Sequence, residues 1–443
     1  MDNKSDLRGE RALVAGAGIA GLAAAAALSP YFREVIVFEK DALADEPQVR
    51  MGAVQGGHIH TMLRGGEAGL EVLLPGIRQQ FLDNGAVELD MGGDYRGHDG
   101  GEWREQAFLD MPILMMSRPG YEQVIRNRVT ALSNVEIRSG CRVSEILYQN
   151  GAAISVRFLN GEDEAVETGA LIVDARGRGS LLPVELEKAG FAKVPETTLG
   201  IVMTYVSGRF KQGPDCENPN LAMLVRPTAP EPRYGILCPI EGGDWMVTLG
   251  GRADTVPPTD YEGFCDYARQ LAVPDFYNVF KDCELVGPLR RYKKPTADWR
   301  HYDRMENFPA RLIPLGDTIT SINPTFGQGM TLAVLHALAL KAALDAFDID
   351  EPAFANVYFE GAMKVSGAAW QMAGASDLEY DFVTGERPQG FEQMQQFSKG
   401  LKLLANNDKD VLRTLMEVFH MERPAADLRS PELAARVMQA LGS

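Results

Sequence analysis

Ala12-Leu13-Val14-Ala15-Gly16-Ala17-Gly18-Ile19-Ala20-Gly21, followed after an alanine-rich run by Val35-Ile36-Val37-Phe38-Glu39, is the stretch that decides the fold. A short apolar run ends in glycines at GxGxxG spacing. An alanine-rich helical segment and a second apolar run follow, and the second run closes on an acidic residue. Short and almost continuously apolar strands suit a parallel sheet covered on both faces, so the pattern predicts a βαβ unit. Each glycine has its own task. Gly16 permits a tight turn, Gly18 lets the backbone approach a pyrophosphate, and Gly21 lets the helix pack closely. Ile19 and Ala20 open the helix, whose N-terminus offers amide donors and a favourable dipole to phosphate. Glu39, roughly 20 residues on, stands where a carboxylate accepts ribose hydroxyls.

This fingerprint serves NAD and FAD alike, and a second stretch separates them. After the predicted strand Arg311-Leu312-Ile313-Pro314-Leu315 come Gly316-Asp317, then Asn323-Pro324-Thr325-Phe326-Gly327-Gln328-Gly329-Met330 leading into an apolar helix. An aspartate just past a strand can bond a ribityl hydroxyl, which makes Asp317 a candidate. The loop residues Pro324, Gly327, Gln328, Gly329 and Met330 are candidates to lie against an isoalloxazine ring. The helix N-terminus would face the N1–C2=O edge, which gains negative charge on reduction. The expected cofactor is therefore FAD, held non-covalently.

Together with Asp174-Ala175-Arg176-Gly177-Arg178-Gly179-Ser180, these motifs resemble the FAD-dependent monooxygenases of the aromatic-hydroxylase type. The segment Arg50-Met51-Gly52-Ala53-Val54-Gln55-Gly56-Gly57-His58-Ile59-His60 is similar to the branch of bacterial flavin epoxidases of polyether biosynthesis. So are the Ser117-Arg118 helix start and the stretch from Trp370 to Pro388. The resemblance implies that Arg50 and Arg118 reach toward the FAD phosphates or the re-entrant face of the flavin. It further implies NAD(P)H as electron donor, and one oxygen from O2 passing to an electron-rich aromatic or alkene substrate through a flavin C4a-hydroperoxide. Two alternatives stand beside it. One is a relative of the flavoprotein monooxygenase that hydroxylates a peptidyl tryptophan in tryptophylquinone maturation, and the other is an FAD-dependent reductase of isoprenoid-like substrates. Arg176-Gly177 stands where the hydroxylases usually carry Asp-Gly, which sets its engagement of NAD(P)H apart. The four tryptophans form no Trp-x-Trp-x-Ile-Pro signature, which argues against halogenation.

The fold class expected is α/β: a Rossmann-like FAD-binding domain with an inserted antiparallel-sheet substrate domain and a helical C-terminal region. Residues 1–190 form the first part of the FAD-binding domain, with substrate-side insertions near 70–115. Residues 191–290 form the sheet domain, 291–348 the second part of the FAD-binding domain, and 349–443 the helical region. Residues 50–66 read as an extended loop leading into a helix, 117–132 as a helix, and 134–148 and 152–158 as strands around an Asn150-Gly151 turn. Strands of β-branched and aromatic residues between 198 and 252 offer Tyr205, Leu237 and Trp245 as wall candidates, although plain sheet packing explains each as well. Ser430-Pro431 reads as a helix start.

With 443 residues the chain is long enough for a sizeable interior, and 61 acidic against 44 basic side chains give a formal charge of −17. That field repels a phosphate backbone, so no nucleic-acid partner is expected. An acidic surface suits docking of a polypeptide substrate, and a small-molecule substrate is the expectation placed before it. Five scattered cysteines without a CxxC pair fit a reducing compartment, and the polar start of the chain does not read as a signal peptide. A cytoplasmic enzyme without stable membrane insertion is expected, the stretch Met330–Leu344 reading as a buried helix. His58 and His60 lack a third ligand cluster, and no metal is assigned.

Overall fold

The strand Gly9–Ala15 lies in the middle of a parallel sheet because its apolar residues are covered from both sides. In this computed structural model, which describes residues 7–99, 101–213, 216, 218 and 220–442, the sheet runs Leu312–Pro314, Leu171–Asp174, Gly9–Ala15, Phe32–Glu39, Val135–Ser139. Its register places Val14 beside Val173 on one side and Val37 on the other. The polar residues 1–6 at the start of the chain lie outside the described residues.

The fingerprint helix, Ile19–Leu28, is buried along nearly all of its length between this sheet and the helix Gly329–Ala346. Alanine suits such a position, since it combines the highest helix propensity with a surface that lets neighbours come close. By length and composition Gly329–Ala346 is apolar enough to cross a membrane, but it packs against the fingerprint helix, Arg64–Leu73 and Pro352–Asp377. His336, fully buried within it, accepts from the Gly316 amide at 3.1 Å through Nδ1 and bonds Ser366 Oγ at 3.0 Å through Nε2. It is a core helix with a satisfied polar residue.

A second, larger sheet crosses the first part of the chain with the middle. Its order is Thr320–Ser321, Glu284–Arg300, Glu196–Lys211, Asp244–Arg252, Tyr234–Ile240, Ala222–Val225, Tyr95–Asp99, Glu102–Trp103. It is antiparallel except where Ala222–Val225 runs parallel to Tyr95–Asp99, a strand from the 70–115 insertion. That parallel pair departs from the purely antiparallel sheet expected, because the insertion edge is reached across the fold rather than by a hairpin. The 134–148 region also differs from a single strand. Gly140, at φ +71°, breaks it into Val135–Ser139 on the parallel sheet and Cys141–Gln149 on a separate antiparallel sheet with Ala152–Asn160 and Asp163–Thr168. Within the 50–66 loop a short 3-10 segment forms over Met51–Gly57. Beyond residue 350 the helices Pro352–Asp377, Phe391–Asn407, Lys409–Phe419 and Pro431–Gly442 follow one another, with an irregular link between the first two that bridges Thr384 to Gly200. The molecule is thus mixed α/β, with a Rossmann-like parallel core, added antiparallel sheets and C-terminal helices.

Candidate cofactor and substrate cavity

A cavity of about 650 Å³ extends from the fingerprint turn to the inner face of the large sheet. At one end stand the fingerprint glycines, two of which are fixed by the backbone around them. Gly16 is at φ +104°, and a Cβ there would come within 2.6 Å of the Ala175 carbonyl oxygen. A Cβ on Gly21 would sit 1.7 Å from the Gly16 oxygen, so this position is fixed by helix packing and stands behind the cavity wall. Gly18 differs. It caps the helix in an extended conformation, and a Cβ there would meet nothing nearer than Arg118 Nη2 at 4.0 Å. Space has been left above Gly18, with a guanidinium at its rim.

Arg118 follows Ser117, whose Oγ accepts from the Gly120 amide at 3.1 Å and starts the helix Arg118–Thr130. Its Nη2 lies 3.7 Å from Glu122, while its buried Nε has no hydrogen-bond partner among the described residues. An orphaned donor of this kind awaits a ligand or water. Glu39, 5% exposed, accepts from the Ala17 amide at 2.9 Å and the Asp41 amide at 3.0 Å, which fixes its carboxylate at the cavity edge. Arg50 also lines the cavity, but its guanidinium is spread over Glu39 at 3.2 Å, Asp41 at 3.2 Å and Glu122. It neutralises that acidic cluster and braces Glu39.

The second motif forms the opposite wall. Asn323 accepts from the Thr325 amide at 3.0 Å and begins a 3-10 turn over Pro324–Phe326, Gly327 takes φ +65°, and the core helix opens at Gly329. Ile19, Ala20, Pro324, Gly327, Gly329 and Met330 all border the cavity. Gln328 does not: it is 1% exposed behind the loop, where its Nε2 donates to the Phe419 carbonyl at 3.3 Å. Asp317 faces the cavity beside Gly329 and Gly177. Desolvation raises its carboxyl above the usual range against the pull of Lys294, Arg118, Arg178 and Arg300.

Lys294 was not legible in the sequence. It reaches this wall from the long strand Glu284–Arg300, is 4% exposed, and donates to Ser321 Oγ at 2.7 Å. Burial lowers its ammonium to about 8, with Asp317 opposing the shift. Arg176 is engaged elsewhere, paired at 2.7 Å with both Asp174 and Glu185, which gives it a structural task at the end of its strand.

The inner face of the large sheet closes the cavity with Tyr205, Leu224, Ile236, Thr248 and Tyr292. Of the three wall candidates only Tyr205 stands there. Leu237 and Trp245 are fully buried on the other face, packed with Phe264 and Phe276, because side chains alternate along a strand and these two have the opposite parity. His58 bonds Ser207 Oγ at 2.7 Å, its ring 4.7 Å from Tyr205, and burial lowers it to about 4, so it is neutral near pH 7. His420 also lines the cavity. Its Nδ1 accepts from the Arg64 amide at 3.3 Å, which leaves the proton on Nε2, a buried donor without a partner among the described residues.

No family profile matches the chain. Its fold is that of flavin-dependent monooxygenases and halogenases. A flavoprotein/dehydrogenase from Cytophaga hutchinsonii aligns over 98% of both chains at TM-score 0.71 and 14% identity. The p-nitrophenol 4-monooxygenase PnpA from Pseudomonas putida DLL-E4 aligns over 93% of this chain and 99% of its own at TM-score 0.64 and 19% identity. The flavin-dependent brominase Bmp2 aligns over 98% of both at TM-score 0.68 and 13% identity. In sequence, the chain is 32% identical over 396 residues to protein Rv3254 of Mycobacterium tuberculosis strain ATCC 25618 / H37Rv, covering 85% of this chain and 82% of that one. The chain belongs to the family of protein Rv3254.

Proposed function

We propose that this protein binds FAD non-covalently along the cavity and acts as a monooxygenase, transferring one oxygen atom from O2 to an electron-rich aromatic or alkene substrate. The observation that carries the reading is the open space over Gly18, bordered by the unpartnered Nε of Arg118. These residues fit a dinucleotide. Arg118 and the N-terminus of the fingerprint helix would hold the pyrophosphate, Glu39 the ribose hydroxyls, and Asp317 a ribityl hydroxyl. When bound, the flavin supplies the redox chemistry that activates O2 after reduction by NAD(P)H.

The protein's own part is positional and electrostatic. The N-terminus of the helix Gly329–Ala346 would offer its positive end to the pyrimidine edge of a bound flavin, and the Lys294 ammonium adds a charge beside Asp317. Tyr205, Phe326 and Phe419 give the substrate compartment an apolar wall, which limits water around the reacting atoms. The epoxidase-like segment Arg50–His60 is the support for alkenes among the substrates.

The test supplies FAD-loaded protein with NAD(P)H, 18O2 and a panel of phenols and polyenes. A substrate that accelerates NAD(P)H oxidation and leaves with one 18O atom is the expected result. Full-rate product formation without O2 would overturn the reading in favour of the reductase.

A further inference from the structure

At the end of the cavity away from Gly18 two arginines enter from neighbouring strands. Arg226 follows Ala222–Val225 and Arg104 follows Glu102–Trp103, on either side of Tyr95–Asp99. Their backbones are fixed to that middle strand, Arg226 N donating to His98 O at 2.9 Å and Arg104 N to Gly97 O at 2.8 Å. Both side chains line the cavity.

The neighbouring charges do not neutralise them. Arg226 Nε lies 3.5 Å from Asp99, a carboxylate that is also 3.8 Å from Lys402. Among the described residues Arg104 has no carboxylate within ion-pair distance, and its side chain contacts Met416 Sδ at 4.0 Å. Burial and the like charge of Arg226 both lower the proton affinity of Arg104. A chain of net charge −17 has thus turned two guanidinium groups inward and provided one shared carboxylate for them. Excess positive charge facing a cavity is stabilised when an anion enters it.

The wall between these arginines and the flavin loop is apolar. The Arg226 guanidinium carbon lies 5.8 Å from the centre of the Phe419 ring, and that ring lies 6.3 Å from Phe326 in the second motif. Leu224, Ile236 and Met416 complete the surface. We infer that Arg104 and Arg226 form a carboxylate subsite, and that the substrate is an organic acid whose aromatic or alkenyl body lies along Phe419 toward the flavin loop. The inference rests on the monooxygenase reading for its statement of what is oxidised. The anion preference itself is independent of it.

Calorimetric titration of the FAD-loaded protein with 2-naphthoate and its neutral isostere 2-naphthamide tests the subsite. The carboxylate is expected to bind about tenfold or more tighter than the amide, the scale of one charge-assisted contact. Arg104→Met should bring the two affinities together, while Arg104→Lys, which retains the charge in the same fold, should keep part of the preference. Equal affinity of the two probes for the wild-type protein, no binding of 2-naphthoate, or an undiminished preference in Arg104→Met would overturn the subsite. Failure of the protein to take up FAD would instead count against the monooxygenase reading, and the naphthoate preference remains measurable on that flavin-free sample.

Discussion

Asp317 lines the cavity with a carboxyl that the fold does not use for a hydrogen bond among the described residues. Its carboxyl is raised by desolvation, and no protein donor among the described residues bonds it, so it contributes little to the stability of the chain by itself. Asp317→Ala is therefore expected to leave the melting temperature unchanged or slightly higher. FAD affinity should fall by the value of one charged hydrogen bond, roughly 1.5–3 kcal/mol. Flavin titration against both proteins checks it, and equal dissociation constants would remove Asp317 from the site. The glycines and Glu39 were legible in the sequence because their requirements are local, arising from a turn, a close approach and a strand end. Lys294, Arg104, Arg226 and His420 were not legible, since each comes from a distant element and acquires meaning only when the large sheet and the C-terminal helices meet the parallel core. Gln328 shows the converse. It belongs to the motif by position, yet its side chain turns away to tie the loop to Phe419.

Between elements, the loop around Asn323 is held by a buried polar cluster that local patterning does not reveal. Arg252, at the end of Asp244–Arg252, donates to Asp377 Oδ1 at 2.6 Å, and Asn323 Nδ2 donates to the same oxygen at 2.5 Å. Asp377 ends the long helix Pro352–Asp377, so sheet, helix and loop converge on one carboxylate that is fully buried. The Arg252 guanidinium also lies 4.8 Å from the Tyr380 ring. Removing one partner of such a pair leaves the other charge stranded. Asp377→Ala should lower the unfolding free energy by about 3–5 kcal/mol in urea titration. A loss below about 1 kcal/mol would show that the cluster does not secure the loop. Elements themselves were largely readable: the βαβ unit, the helix at Ser117, the Asn150-Gly151 hairpin and the helix at Ser430 all carry their signals in neighbouring residues. Which face of a strand meets the cavity was not, as Leu237 and Trp245 show, because a period of two leaves the choice of face to the partner sheet.

Across the whole molecule, neutral histidines in desolvated positions, three of them buried and His60 half-buried at the cavity, link folding to acidity. Burial lowers His58 and His336 to about 4, and His60 and His420 to about 3. Each folded value lies below the unfolded value near 6.5, so between them the unfolded chain binds protons that the folded chain does not. Stability is therefore expected to fall as pH drops from 7 to 5, seen as a decreasing urea midpoint for the flavin-free protein. A midpoint that holds or rises over that interval would contradict the burial of these rings. The central claim is that the space over Gly18 is the pyrophosphate position of an FAD site, and flavin stoichiometry tests it most directly. After reconstitution and gel filtration, the wild-type protein should carry one FAD per chain. Gly18→Val fills the space without meeting backbone, so it should keep the wild-type melting temperature of the flavin-free chain and retain no FAD. A folded Gly18→Val protein that holds one FAD per chain would contradict the account.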